Sequence, residues 1–171
     1  MAQTTLGNMY YFGKGVPQDY ETAIKWYTLA AEQGNAVAQR NVGSMYDFGK
    51  GVPQDYETAI IWYTLAAEQG DASSQSILGY KYEYGKGVPQ DYETAIKWYT
   101  LAAEQGDAFS QCNLGTMYYF GLGVPQDYET AIKWYTLAAE QGHAASQCHL
   151  GYMYELGEGA LQDYKTAIKW H

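Results

Sequence analysis

The segment Val16–Asn35, VPQDYETAIKWYTLAAEQGN, decides the fold of this chain because it recurs almost unchanged three more times. The copies begin at Val52, Val88 and Val124, so each is displaced by 36 residues from the one before. A degenerate fifth copy begins at Ala160. A fixed period of about 20–50 residues is typical of solenoids, in which each unit buries its apolar face only by stacking on its neighbours.

One unit contains two predicted helices. In the second unit, Asn35 is expected to cap a helix A over about residues 36–48, and Asp55 to cap a helix B over about residues 56–69. A glycine-rich turn with a proline joins the two helices. Gly43, inside helix A, has a counterpart in every unit, which predicts that another helix passes too close there for a side chain.

These features predict an all-α solenoid of 36-residue helix–turn–helix repeats. We expect one array over residues 1–171, with units at about 1–34, 35–70, 71–106, 107–142 and 143–171, the first and last of them truncated. Because neither end carries a polar cap, the chain is expected to be a piece of a longer protein or to stack end to end on other copies. A monomer at high concentration would argue against end-to-end stacking.

Composition and charge narrow the class of partner. The chain has 19 acidic and 10 basic residues, a net charge of −9, which argues against nucleic acid and favours a basic or neutral protein. An acidic surface that is merely solvated and binds no partner explains the same net charge. No apolar run approaches the roughly 18 residues of a membrane span, so no membrane insertion is expected.

The compartment stays open. Cys112 and Cys148 occupy equivalent positions of successive units, about 8–10 Å apart in stacked helices. A disulfide needs Cα atoms within about 7 Å, so both are expected to be free thiols. With no leader at the start of the chain, this slightly favours the cytoplasm; a periplasmic or secreted location applies if a leader is removed.

The stretch Leu114–Gly142 carries a resemblance to a known family. Its pattern L-G-x-M-Y-x-x-G-x-G-V-P-Q-D-Y-x-x-A-x-x-W-Y-x-x-A-A-E-Q-G resembles the Sel1-like repeat, a relative of the tetratricopeptide repeat. The resemblance implies a right-handed superhelix whose A helices line a concave surface, and a non-enzymatic adaptor role toward protein partners. A cysteine-rich branch of the family is linked to penicillin binding or weak β-lactam hydrolysis. That branch carries a cysteine pair in each repeat, which this chain lacks.

Comparison of the units with one another locates a candidate binding stripe. Helix B is nearly constant, whereas helix A varies at positions four and three residues apart, which share one helical face. We expect this stripe to bind a protein or peptide segment, with tyrosines as anchors and polar side chains as readers. The alternative is a solvated face that simply drifts. The candidate partner-binding residues are Tyr11, Arg40, Asn41, Ser44, Asp47, Tyr80, Glu83, Asn113, Thr116, Tyr119, His149, Tyr152 and Glu155.

No enzyme or cofactor motif is found, and no cofactor or metal is expected. A zinc site is considered at His143, Cys148 and His149, which are close in the sequence. No second cluster of ligands completes a coordination sphere there, so no zinc is expected. A tryptophan recurs in every unit, at Trp26, Trp62, Trp98, Trp134 and Trp170. These side chains are expected to pack between neighbouring B helices and not to bind a sugar or a methylammonium group. Besides the adaptor, two functions stay open: a β-lactam-binding enzyme and a structural spacer.

Overall fold

The computed structural model describes residues 2–170 and contains ten helices within them, in five helix–turn–helix units. Odd-numbered helices are the A helices of the units and even-numbered helices are the B helices. Each helix packs mainly against the one before and the one after it in the chain. The helices are α1 (Ala2–Phe12), α2 (Tyr20–Ala31), α3 (Ala36–Phe48), α4 (Tyr56–Glu68), α5 (Ala72–Tyr84), α6 (Tyr92–Glu104), α7 (Ala108–Phe120), α8 (Tyr128–Glu140), α9 (Ala144–Leu156) and α10 (Tyr164–Trp170).

The predicted capping residues begin and end these helices. The Asp55 carboxylate accepts a hydrogen bond from the Thr58 backbone N–H at 3.1 Å and from the Thr58 hydroxyl at 2.6 Å. Asn35 caps α3 in the same way, through the Ala38 N–H at 2.8 Å. α3 ends at Gly49, whose φ of 63° lies in the left-handed region that favours glycine.

The mid-helix glycines make room for tyrosines of the B helices. A Cβ atom placed on Gly79 would lie 2.5 Å from Cδ1 of Tyr99, and one on Gly43 would lie 2.9 Å from Cδ1 of Tyr63. Both tyrosines are fully buried. The predicted close approach is confirmed, and it is made by the ring of a tyrosine in the same unit.

Repeated contacts hold successive units together. Trp62 packs against the core of the first two units, which contains Tyr27 of α2 and Val42 of α3, and this confirms a packing role for that tryptophan. The Gln39 amide donates to the carbonyl oxygen of Ala31 in the preceding unit at 3.1 Å. Within the second unit, Gln69 in turn donates to Gln39 at 2.6 Å and so holds that glutamine in place. These contacts recur from unit to unit, so each unit is docked on the next by almost the same set of atoms.

Candidate functional site

The variable stripe lies on the face formed by α1, α3, α5, α7 and α9, which we call the A-helix face. Its first position contacts the residue that caps the next A helix. Arg40 forms an ion pair with Asp71 at 2.7 Å, and the Ser76 hydroxyl donates to Asp107 at 3.0 Å. This position therefore contacts the next unit, and its side chain takes part in the stacking itself.

The next two positions of the stripe bind the hydroxyl groups of the buried tyrosines. In each of the first four units one of them is the partner: Asn8 accepts from Tyr27 at 2.7 Å, Asp47 from Tyr63 at 3.4 Å and Glu83 from Tyr99 at 2.7 Å, while Thr116 shares a hydrogen bond with Tyr135 at 3.0 Å. Burial raises the pKa of all four phenols, that of Tyr27 to about 12. The constant tyrosine thus has a different partner in successive units.

Two of the candidate binding residues lie inside the fold, contrary to the expectation that the whole stripe faces solvent or a partner. Asp47 is only 7% exposed and Glu83 only 6%. Asp47 forms an ion pair with Lys81 of the next unit, and Glu83 accepts the Tyr99 hydrogen bond. A carboxylate is retained at such depth only where it is paired or hydrogen-bonded, and each of the two groups has such an internal partner.

The other eleven candidates are accessible to different degrees. Tyr152 is exposed at 58%, and Glu155 is exposed as well. The half-buried ones are Tyr11, Arg40, Asn41, Ser44, Tyr80, Asn113, Thr116, Tyr119 and His149. The structure therefore places these side chains on the A-helix face, and nine of the eleven are partly covered by neighbouring residues.

Several of these half-buried residues are fixed by specific neighbours. The Tyr11 hydroxyl accepts from Lys50 at 2.7 Å, and the Tyr119 hydroxyl donates to Glu158 at 2.7 Å. His149 stacks on Tyr135 with ring centroids 4.8 Å apart, and burial, assisted by the nearby His143, lowers its pKa. The Asn113 Nδ2 is buried and has no hydrogen-bond partner within the described residues. Asn113 is thus a side-chain amide of the stripe whose buried donor is left over there.

A cleft opens on the A-helix face between the second and fourth units. Its volume is about 720 Å³, within the range of small-molecule and side-chain pockets. Five aromatic, two acidic and two basic side chains contribute to its wall. The residues that line this Tyr80 cleft are Asp47, Phe48, Gln54, Tyr56, Tyr63, Ser73, Ser76, Ile77, Tyr80, Lys81, Lys86, Asp107 and Phe109.

Lys81 is the important residue of this cleft that the sequence analysis missed. The same position holds methionine in the other four units, for example Met45 and Met117. Lys81 is 5% exposed, its ammonium group is paired with Asp47, and it lies 4.9 Å from the ring centroid of Tyr56. The signal that would have found it is a charged residue in place of a constant apolar one.

The residues considered for zinc do not converge. His143 caps α9 through the Ser146 N–H at 3.3 Å, Cys148 is exposed, and His149 stacks on Tyr135. Over residues 2–170, no group of three or more His, Cys, Asp or Glu side chains is arranged to hold a metal ion. Cys112 is buried and Cys148 exposed, and both are free thiols. None of the described helices has the length and apolar character needed to cross a membrane.

Comparison with known proteins identifies the repeat. The Sel1 repeat profile matches residues 1–35, 36–71, 72–107, 108–143 and 144–171, which together make up the whole chain. Its unit boundaries fall one residue after those expected from the sequence. No curated protein matches the chain significantly.

Solved structures agree with this match. A protective antigen of uropathogenic Escherichia coli, c5321, which displays an SLR fold, is 44% identical with a TM-score of 0.97 over 99% of this chain. This chain spans only 36% of the length of that protein. A Sel1 repeat protein from Oxalobacter formigenes is 40% identical with a TM-score of 0.91, covering 98% of this chain and 69% of its own length.

A more distant neighbour is the cysteine rich protein B of Helicobacter pylori, at 25% identity and a TM-score of 0.59 over 75% of this chain and 92% of that one. The profile match, the 36-residue period and the all-helical architecture lead to one conclusion. The chain belongs to the Sel1 repeat family, whose members are generally non-enzymatic scaffolds that mediate protein–protein interaction.

Proposed function

We propose that this chain is a non-enzymatic scaffold that holds a peptide or protein segment along its A-helix face. The observation that carries the proposal is the composition of that face. Tyrosine, arginine, asparagine and histidine side chains change from unit to unit there, on helices whose packing is otherwise repeated. Tyrosine and arginine are favoured at the centres of protein interfaces, and an asparagine amide can pair with both polar groups of a peptide unit.

The proposed contact residues are the accessible members of the stripe. Glu83 supports its neighbours from below the surface and is not a direct contact in this proposal, and Asp47 is reached only through the wall of the Tyr80 cleft. The direct contacts are Tyr11, Arg40, Asn41, Ser44, Tyr80, Asn113, Thr116, Tyr119, His149, Tyr152 and Glu155. An interface of about 800 Å² per partner fits on such a face.

The partner segment is proposed to be neutral or basic. The net charge of the chain is −9, and such a charge attracts basic segments and repels acidic ones at low salt. On the proposed contact face, Arg40 is neutralised by Asp71, whereas Glu155 is exposed. Stacking of the chain on other copies of itself, the other mode of association expected from the sequence, stays a prediction.

Selection of peptides on the purified chain tests the proposal. A random peptide library is selected on the immobilised protein, and the best binder is titrated against a variant with Tyr80, Asn113 and Tyr152 replaced by Ala. We expect the triple variant to bind at least about 100-fold more weakly, because hot-spot truncations each cost about 1–2 kcal/mol or more. Its circular dichroism spectrum is expected to stay that of the wild type.

The control carries three alanines on the B helices, at Leu65, Leu101 and Leu137, which are 40–45% exposed. It is expected to bind the selected peptide as the wild type does. A peptide that binds the A-helix variant normally, or that loses binding with the B-helix variant instead, would contradict the proposal.

A further inference from the structure

The Tyr80 cleft is built differently from the corresponding places on α3 and α7. On α5 the first turn carries Ser73, where α3 carries Val37 and α7 carries Phe109. One turn later it carries Ser76, where α3 carries Arg40. The small serines leave this space unfilled. Phe109, which is 47% exposed, lines the cleft from the fourth unit. The opening is therefore a consequence of particular residues in the third and fourth units and not of the repeat itself.

The walls of the cleft suit an aromatic ring. Phe48, Tyr56, Tyr80 and Phe109 come from α3, α4, α5 and α7, so an inserted ring meets aromatic faces and edges from several directions. Phe48 is 66% exposed and Tyr56 is 44% exposed, which leaves them free area to bury. Aromatic pairs contribute about 0.5–1.5 kcal/mol beyond the area that they bury.

The buried ion pair supplies polar atoms at the wall of the cleft. The Lys81 ammonium group has three N–H donors, one of which goes to Asp47. The Asp47 carboxylate also accepts a long hydrogen bond from Tyr63, at 3.4 Å. Both charged groups retain hydrogen-bonding capacity, so a hydroxyl or an indole N–H brought to this wall finds an acceptor, and a hydroxyl oxygen also finds a donor.

The charges of the cleft balance. Asp47 and Asp107 are acidic, and Lys81 and Lys86 are basic. A charged side chain would lose its hydration on entry and meet attraction and repulsion together. A neutral ring with one polar atom avoids that desolvation cost and still uses the polar wall.

We infer that the Tyr80 cleft receives a tyrosine or tryptophan side chain of the partner segment, with the phenol hydroxyl or indole N–H directed to the Lys81–Asp47 pair. This inference rests on the proposed function and names the anchor of the segment that the A-helix face holds. It also names a preference, for an aromatic side chain with a polar atom over phenylalanine, leucine or arginine.

Nuclear magnetic resonance on the ¹⁵N-labelled full chain tests the inference with five probes. They are the N-acetyl amides of tyrosine, tryptophan, phenylalanine, leucine and arginine. We expect saturable shifts of the Ser73, Ser76 and Phe109 amide signals, with tyrosine and tryptophan amides binding at least about threefold more tightly than the other three. Equal affinities, tightest binding by the arginine amide, or no localised shifts at all would overturn it.

Two variants separate the walls of the cleft from its polar pair. Ser73→Phe fills the space and is expected to weaken tyrosine amide binding about tenfold, whereas Ala145→Phe, at the equivalent place on α9, leaves it unchanged. The double variant D47Y/K81M replaces the polar pair by tyrosine and methionine. The same two residues stand at the equivalent positions of two other junctions, as Tyr11 with Met45 and as Tyr119 with Met153. It is expected to remove the preference for tyrosine over phenylalanine; if that preference persists, the polar pair has no such role.

Failure of this inference is distinguishable from failure of the proposed function. A library-selected peptide that depends on Tyr80, Asn113 and Tyr152 but binds S73F normally would overturn the cleft and leave the A-helix face as the binding surface. Melting curves of the three variants establish that each is folded before its affinity is interpreted.

Discussion

At the residue scale, the glycines inside the A helices show how two opposing effects are weighed. Replacing a helical glycine by alanine ordinarily stabilises a helix by about 1 kcal/mol. At Gly79, however, the new methyl group would lie 2.5–2.7 Å from three atoms of the Tyr99 ring. That ring is fully buried and its hydroxyl is held by Glu83, so it has little room to move.

We therefore predict that Gly79→Ala destabilises the protein. The overlap is expected to cost about 1–3 kcal/mol and to outweigh the gain in helix propensity. Urea unfolding followed by circular dichroism measures the change. Ser73→Ala on the same helix is the control, since Ser73 is exposed and should shift stability by no more than about 0.5 kcal/mol. A more stable Gly79→Ala variant would show that the ring yields easily.

At the scale of the helix, the B helices depend on one repeated capping arrangement. Five aspartates cap them: Asp19, Asp55, Asp91, Asp127 and Asp163. In each case the hydrogen bond from the threonine side chain three residues later lowers the pKa of the carboxyl, and the bond from that threonine's backbone N–H lowers it further. The folded state therefore favours the charged carboxylates at all five helix starts.

This arrangement predicts a loss of stability in acid. Because the folded pKa lies below the unfolded value of about 3.9, the unfolded chain takes up protons first as the pH falls. The contribution of the caps is complete above that value and disappears as the pH falls through the folded pKa. The midpoint of thermal unfolding should therefore drop as the pH falls below about 4.

Asparagine at all five caps should reduce that drop, since its side-chain oxygen still accepts the backbone hydrogen bond but does not titrate. A variant with glutamine at Glu32, Glu68, Glu104 and Glu140 controls for the loss of negative charge. If the asparagine variant loses as much stability in acid as the wild type does, the caps are not the acid-sensitive groups.

At the scale of the whole molecule, stability depends on how each unit docks on the next. In a linear array this coupling between neighbours decides whether the units unfold together. Most of the docking is repeated, but between the second and third units it includes the buried Asp47–Lys81 pair. At the equivalent places Tyr11 packs on the core that holds Met45, and Tyr119 on the core that holds Met153.

Lys81→Met is predicted to weaken this junction. It leaves the Asp47 carboxylate buried without its cation, and breaking a buried pair in this way costs about 3–5 kcal/mol. We expect lower stability and a broader denaturation curve, as the first two units begin to unfold separately from the rest. The double variant D47Y/K81M should recover most of the loss, because it leaves no buried charge unpaired and the same tyrosine and methionine pack at two equivalent junctions. A single variant as stable as the wild type would contradict this account.

The sequence by itself determined the period, the ten helices, their capping residues and the close approach at the mid-helix glycines. These features are local or are repeated in every unit, so a pattern within 36 residues contains them. Position-by-position comparison also located the stripe on the A helices, and eleven of its thirteen residues are at least partly accessible. A position that is apolar in every unit is not necessarily buried. The last residue of each A helix is 54–66% exposed, at Phe12, Phe48, Tyr84, Phe120 and Leu156.

Only the tertiary structure decided which variable residues lie inside. Asp47 and Lys81 are 34 residues apart, and Arg40 and Asp71 are 31 apart, so each pair joins two units whose relative placement follows from the docking of whole helices. Nothing in the local pattern of α3 distinguishes a carboxylate that faces water from one that meets a lysine of α5. The Tyr80 cleft arises in the same way, because it exists only where the small residues of one unit face the aromatic residues of the next.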